Sequence, residues 1–452
     1  MVKILGIYKA IPYTVEARRL LTRGFKIPYV DMPSADDDKG DLSARLESTR
    51  VALEKVEQLI AAASDPEKII LHNAFRLPII ELRQQLTEEA RANMQRTTVV
   101  YSEAQRIIEE ILYAAIRRKT GSPHKRVNDI DGFQDEVTFV SASLLDAEGQ
   151  EHETHGVSRV PDYADAILQG RINPQGKVEL MEETYAKLSY TGGGTFGQVA
   201  AQMALQGGLK FMNDLPEGSS LVVTMRHAYH AGRLEWIVRQ AVKKGFACLA
   251  LFNVGGKGRV APEDGMEPRW GTNPIAFGVP TGIGEPGCIG DTATTARSEG
   301  WVNVAHLNGL TIPLGIVRTP EGEQTIDPGG VYRKDGRPDL LVPIGGDVAA
   351  YKGAVLGEMI DLFVNALSGR TPGEPSPPKS NNLVFFLCKV SEEVITAIRE
   401  QLHHIESCPT ASGDPIRRPG AQGLEMLEKA KRDGLSIAQG TWQMVVDLHK
   451  QL

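Results

Sequence analysis

The stretch from Leu221 to Phe252 constrains the fold more than any other, because its apolar spacing changes period twice. Leu221–Thr224 is a short run with two adjacent valines. Arg233–Lys244 then sets Leu234, Ile237, Val238, Ala241 and Val242 on one side at helical spacing, Gly245 stops it, and Phe246–Phe252 is apolar again. Strand, helix and strand in that order are a βαβ signature, so the chain belongs to the α/β class.

The flanking segments extend the alternation. Ser102-Glu-Ala-Gln105 reads as a capping box ahead of Ile107, Ile108, Ile111, Leu112 and Ile116, which predicts a helix to about Arg118. Lys352–Leu367 forms another, with Val355, Leu356, Met359, Ile360 and Phe363 facing inward. Met1 to about Met94 reads as an αβ segment with apolar runs at Val2–Tyr8, Lys26–Val30 and Lys68–Leu71. Its acidic tract Ala35–Asp41 is a solvated loop before a helix striped by Leu46, Leu53, Val56 and Ile60. Thr371–Lys379 holds four prolines and is a connector. Leu383–Leu387 and the helical stretches to Leu452 read as an additional αβ layer.

Composition narrows the class of partner. With 50 Lys+Arg against 57 Asp+Glu, a net charge of -7 argues against nucleic acid, whose phosphates need a basic patch. Cys248, Cys288, Cys388 and Cys408 lie far apart, which implies neither a disulfide framework nor a zinc knuckle and fits a reducing compartment. The first residues lack the long apolar core of a leader, and no run approaches eighteen apolar residues. A cytoplasmic protein without membrane contact, acting on small molecules, is expected. At roughly 100–200 residues per domain, 452 residues make about three.

Several residues could carry chemistry. His152 with His155, and His227 with His230, are spaced for one helix face, but the cysteines or carboxylate that mark a closed zinc site are missing, so no metal is expected. His155 and Arg159 are four apart and project the same way from a helical turn. A guanidinium clamps a carboxylate by paired hydrogen bonds while imidazole protonates the adjacent oxygen, as a reaction on a 2-oxo acid requires. An isolated H-x-x-x-R is also a common accident. His230 lies between a strand and a helix, where open α/β sheets bind ligands.

Gly192–Gly197 matches G-x-G-x-x-G, follows a possible strand Tyr185–Tyr190 and precedes Asp214. The polar segment before it argues against a buried first strand. Gly345, Gly346, Lys352 and Gly353 offer backbone N–H groups, a helix dipole and a cation, a second candidate anion site. Asp291 with Thr292, Thr294 and Thr295 can hold a ribose, orient a histidine or cap a helix.

In this order the motifs resemble the malate/L-lactate dehydrogenase type 2 family of NAD(P)-dependent oxidoreductases. Glu151–Arg159 is similar to its G-H-D-S-H-G-V-x-R, Tyr163–Pro174 to the following helix and turn, and G-G-G-T-F-G-Q to D-G-x-G-x-x-G-Q. His230–Trp236 resembles H-F-G-x-x-G-x-Y, and Gly271–Pro280 resembles G-T-N-P-I-A-F-A-x-P. Asp291–Thr295 resembles D-M-A-T-S, Tyr351–Gly353 resembles H-K-G, and Arg417–Gln422 resembles the late P-G-E motif. Departures are Glu153-Thr154 for Asp-Ser, Ala231 for an aromatic, Glu235 for glycine, Trp301 where lysine is frequent, and Tyr351 for histidine.

The resemblance implies a non-Rossmann malate/L-lactate dehydrogenase type 2 fold with an additional N-terminal αβ segment, and it demotes Gly192–Gly197 to a structural loop. It implies a division into 1–97, an extension of unknown role, 98–210 with 370–452 carrying the first histidine motif, and 211–369 binding cofactor and substrate. His155, His230 and Asp291 become catalytic candidates, and Arg159, Asn253, Thr272 and Asn273 substrate-binding ones. Thr294, Thr295, Lys352, Gly353, Pro419 and Gly420 would contact NAD or NADP. A homodimer interconverting a small 2-oxo acid, or a cyclic imine carboxylate, with its 2-hydroxy or amino acid is expected. The alternative is a catalytically inactive dehydrogenase-like binding or regulatory protein.

Overall fold

A computed structural model describes residues 42–62, 76–92, 95–121, 130, 132–254, 258–307, 310–369 and 381–452. The apolar runs before Leu77, the acidic tract and the proline connector fall outside the described residues. The chain forms two compact units. The smaller joins the described residues before Gln95 to Ala305–Leu314 and Thr325–Gly329. In it α1 (Leu42–Ala62) packs on α2 (Leu77–Ala92), and Ala52, Leu53 and Val56 meet Ile79, Ile80 and Ile326. The buried hydroxyls of Thr87 and Thr311 share a 2.7 Å hydrogen bond within this unit.

The larger unit begins with β1 (Arg96–Val99), α3 (Tyr101–Thr120), α4 (Glu136–Gly149) and α5 (Val160–Leu168). It continues through β2 (Glu179–Glu183), β3 (Lys187–Thr191), α6 (Gly197–Met212), β4 (Ser220–Ala228), α7 (Leu234–Lys243) and β5 (Phe246–Asn253). Next come β6 (Ile275–Val279), β7 (Cys288–Thr292), the helix α8 (Glu299–Leu307), β8 (Val317–Arg318), β9 (Gln324–Thr325), β10 (Leu340–Leu341) and α9 (Gly346–Ser368). Last are β11 (Asn381–Lys389), α10 (Glu392–Glu406), α11 (Ala421–Asp433), β12 (Leu435–Ala438) and α12 (Gln439–Gln451).

Seven strands form one mixed sheet in the order β2-β3-β4-β11-β5-β6-β7. The expected strand, helix and strand at 221–252 are β4, α7 and β5, yet β4 and β5 do not touch. Strand β11 lies between them, antiparallel to both. Leu383–Leu387 therefore builds no additional layer; it is the middle of the sheet. Leu383, Phe385 and Leu387 point into the core under α6 and α7, while Val384 and Phe386 face α9 with Ile360 and Val364. A strand covered on both faces has to be apolar at consecutive positions.

The glycine-rich segment 192–197 is a turn between β3 and α6. Gly193 and Gly194 take φ of 58° and 75°, open to glycine without strain. Gly192 N–H donates to Arg226 O at 2.7 Å and Gly194 N–H to His227 O at 2.8 Å, which ties the turn to the end of β4. A Cβ on Gly197 would overlap the Tyr229 carbonyl and the His230 backbone. These glycines thus seat a histidine. Gly197→Ala is expected to cost about 1–3 kcal/mol by overpacking, read as a lowered denaturation midpoint.

Candidate active site

Two loops meet at the carboxyl end of β4. The first, after α4, holds Glu153–His155 and Val157–Arg159 as separate 3₁₀ turns. Gly156 between them is non-helical (φ -98°, ψ -140°), so His155 and Arg159 do not share the single helical turn that their spacing predicted. The cause is local: a Cβ at Gly156 would overlap the buried Glu148 carboxylate, which also accepts the Val157 N–H at 2.8 Å. The second loop runs from β4 through His230 to Gly232, at φ 69°, and enters α7.

The His155 and His230 rings stack, with centroids 5.4 Å apart and planes 26° from parallel. His230 Nδ1 lies 2.8 Å from the hydroxyl of fully buried Tyr163, which also accepts from Gln198 Nε2 at 2.9 Å. The phenol oxygen accepts from Gln198, and its proton can go to His230 Nδ1 or to His230 O at 3.4 Å; either way Tyr163 holds the ring by its Nδ1 edge. His155 Nδ1 is 3.0 Å from Thr154 Oγ1. Burial, then the charges or potential charges of His230, Arg159 and Arg233, holds the His155 imidazolium well below the usual histidine range. Its neutral form prevails at pH 7.

Arg159 Nε donates to Thr154 O at 2.6 Å, and Gly300 lies so close to Nη2 that a Cβ there would sit 2.9 Å away. Asp291, near the end of β7, accepts the Glu235 N–H at 3.0 Å and so fastens β7 to the first turn of α7. Desolvation pushes the Asp291 carboxyl upward, opposed by Arg233 and these backbone donors. The acid therefore caps a helix and borders the histidine loop at once.

Glu235 stands in a buried ionic chain that was not foreseen. Arg239 Nε lies 3.0 Å from Glu235, Arg239 Nη2 2.7 Å from Asp146, and Arg233 Nη1 3.5 Å from Glu235, all with side chains 2–11% exposed. Gln150 donates to Asp146 at 2.6 Å and to Glu235 at 3.3 Å. Burial raises the Asp146 carboxyl against the pull of Arg239. The only sequence signal was Glu235 in place of a glycine. Tyr163 and Gln198 were visible only as members of longer motifs, and Glu148 not at all.

The other candidates form two groups. Asn253 Nδ2 bonds Asn365 at 2.8 Å and Asn273 Nδ2 bonds Gly357 O at 2.9 Å, so both buried amides fasten strand ends to α9. Thr272 O accepts Thr294 Oγ1 at 2.9 Å and Thr294 N at 3.0 Å. Thr295 Oγ1 donates to Arg297 O at 2.8 Å. Ile344 N–H donates to Thr294 O at 2.9 Å, and Gly353 packs on the Ile344 backbone, which brings the threonine turn beside the start of α9. Pro419 O faces Ile289 N–H at 3.4 Å, and Gly420 (φ 84°) abuts the same residue of β7.

This second group fits an anionic, acceptor-rich dinucleotide. Lys352 is exposed, α9 opens on two left-handed glycines, Gly345 at its N-cap and Gly346 as its first residue, and buried Trp270 Nε1 beside Thr294 has no hydrogen-bond partner among the described residues. Donors prevail there. Among the described residues no cluster of three His, Cys, Asp or Glu side chains suits a metal ion.

A sequence profile of the malate/L-lactate dehydrogenase family matches residues 130–446. The L-lactate dehydrogenase of Cupriavidus necator is 26% identical over 324 residues, 69% of this chain and 90% of that one. The Δ(1)-pyrroline-2-carboxylate/Δ(1)-piperideine-2-carboxylate reductase of Pseudomonas syringae pv. tomato is 28% identical over 347 residues, 72% and 93% of the two chains. The crystal structure of malate dehydrogenase from Entamoeba histolytica superposes with a TM-score of 0.67 at 20% identity, covering 79% of this chain and 98% of that one. The fold is that of these dehydrogenases.

Removing one member of the buried ionic chain strands its partners. Glu235→Ala is expected to destabilise the protein by about 3–5 kcal/mol in chemical denaturation, and the double change with Arg239→Met to recover much of the loss.

Proposed function

The chain belongs to the malate/L-lactate dehydrogenase family, and on that footing we propose how its residues perform an NAD(P)-dependent interconversion of a small 2-oxo acid, or a cyclic imine carboxylate, with the hydroxy or amino acid. It is an oxidoreductase of that class. The inactive alternative gains no support from the relatives, named as dehydrogenases and reductases. The observation that carries the reading is the stacking of His155, which shares its loop with Arg159, on His230 of the second loop.

Bound nicotinamide supplies or takes up the hydride. Arg159 clamps the substrate carboxylate through its terminal nitrogens. His155 exchanges the proton with the substrate oxygen or imine nitrogen, and His230 presents Nε2 to the same atom under the hold of Tyr163. Asp291 keeps the His230 loop in place through α7. Thr294, Thr295, Lys352, Gly353, Pro419 and Gly420 line the cofactor side, with Lys352 toward phosphate. Asn253, Thr272 and Asn273 act on the substrate pocket by fixing its wall.

The reading also includes a homodimer in the cytoplasm. The outward side of α9 supports the dimer: Tyr351, Val355, Met359 and Leu362 are 46–61% exposed, so Val355 and Met359, and Phe363 with them, do not face inward as their spacing predicted, whereas Leu356 and Ile360 do. Apolar stripes of this kind mark interfaces. Four free thiols support a reducing compartment, and among the described residues no helix is long and apolar enough to cross a membrane. Val355→Glu with Met359→Glu is expected to halve the mass measured by light scattering; an unchanged mass would remove this face from the interface.

Turnover tests the chemistry. An absorbance screen at the nicotinamide band, with both cofactors against 2-oxo acids and cyclic imines, should find one productive pair. His155→Ala should then lower kcat by about 10²–10⁴-fold while cofactor affinity survives. Because the His155 imidazolium is disfavoured, reduction should slow as pH rises, whereas oxidation, which uses the neutral ring, should stay level near pH 7 and fail only in acid. Near-normal turnover in His155→Ala would end its assigned role.

A further inference from the structure

Glu148 occupies the last turn of α4, is 4% exposed, and is used by no step above. Its carboxylate accepts the Val157 N–H at 2.8 Å and lies against Gly156, two of the three residues that separate His155 from Arg159. We propose that Glu148 is a positioning residue that keeps Arg159 and His155 in register only while its carboxylate is ionised, so that substrate affinity falls on acidification. The proposal rests on Arg159 as the carboxylate clamp.

The argument is one of acceptor strength. A carboxylate accepts a backbone N–H about twice as strongly as a neutral acceptor does. The other backbone bonds of 153–159 are short-range: His155 N–H to His152 O at 2.9 Å, Gly156 N–H to Glu153 O at 3.2 Å, and Arg159 N–H to Gly156 O at 3.0 Å. His152 N–H fastens the start of the loop to Ala147 O of α4 at 2.8 Å, and Glu153 pairs with Arg96 of β1, so the Glu148 bond is what ties the stretch between His155 and Arg159 to α4. Burial pushes this carboxyl up to about 7, with Glu153 raising it further and the Val157 N–H and Arg96 opposing. Glu153 on the loop and Arg96 on β1, themselves 2.5 Å apart as an ion pair, are the charged groups acting on Glu148 among the described residues. Protonation near neutrality therefore weakens the tie and lets 156–159 leave this register more often.

Amide hydrogen exchange on the full-length protein reads the tie without any substrate. At about pH 8, peptides spanning 153–159 are expected to exchange roughly tenfold faster in Glu148→Gln than in wild type, the value of one charge-assisted bond. At about pH 6 the two proteins should converge, since both then offer a neutral acceptor, and α3 should match at both pH values. Equal exchange at both pH values, or the same difference at both, overturns the proposal. Should Glu148→Gln loosen α3 as well, wild type alone decides: protection of 153–159, corrected for intrinsic exchange, must fall between pH 8 and pH 6, and constant protection overturns it.

The kinetic arm uses the 2-oxo acid or imine that the screen identifies. Glu148→Gln should raise its KM about tenfold at pH 8 with kcat nearly unchanged, and Glu148→Asp should restore part of it. A wild-type KM in Glu148→Gln counts against the proposal. Absence of turnover with every compound would instead sink the dehydrogenase reading and leave the exchange result standing.

Discussion

Strand β11 is the constraint on which the rest depends. It arrives more than 120 residues after β5 ends, yet its nine residues close the gap between β4 and β5 and complete every ladder in the middle of the sheet. Without it the two strands whose ends frame the site would face each other with unpaired backbone groups, a cost no side chain repays. The site is therefore assembled by a late strand from parts encoded early. Such long-range pairing is slow to form, and it makes the upstream loops dependent on sequence near the far end of the chain.

Around this frame the electrostatics are arranged by burial rather than by net charge. His155 is held neutral by desolvation and by cationic neighbours. Asp291 is desolvated too, but backbone donors of α7 and the charge of Arg233 offset the cost. Farther in, Asp146, Arg239, Glu235 and Arg233 alternate in sign. Alternation of this kind is weak evidence of stability, because each ion was dehydrated to get there. It does fix α7 in one rotational setting, and α7 begins at the histidine loop.

Much of the fold was legible from periodicity. The helix predicted after Ser102, the helix Arg233–Lys244 and its two strands are all present, but the first starts at Tyr101 with Val100 at its N-cap, so Ser102 lies inside it and forms no capping box. What could not be read was adjacency: local spacing shows that β4, α7 and β5 follow one another, not that β11 intervenes. His155, Arg159 and His230 were legible because they fall in short motifs whose chemistry is recognisable. The H-x-x-x-R spacing nonetheless suggested a continuous turn, and only the Glu148 carboxylate, seven residues upstream of His155, explains the break at Gly156. Tyr163, Gln198 and Glu148 act through distances across the fold, which no single segment encodes. Asn273 sits in a motif and Asn253 at the end of β5, yet their hydrogen-bond partners belong to α9, which neither local segment encodes.

The composition of the smaller unit changes how this chain can be cut. Its core takes Ile326 from one later segment, and its buried hydroxyl pair takes Thr311 from another. A truncation at Gln95, where the larger unit begins, would leave those residues facing water without the helices that cover them. The helices Leu42–Ala62 and Leu77–Ala92 are thus no detachable tag: they and the later segments that carry Thr311 and Ile326 have to be inherited, exchanged or deleted as one piece.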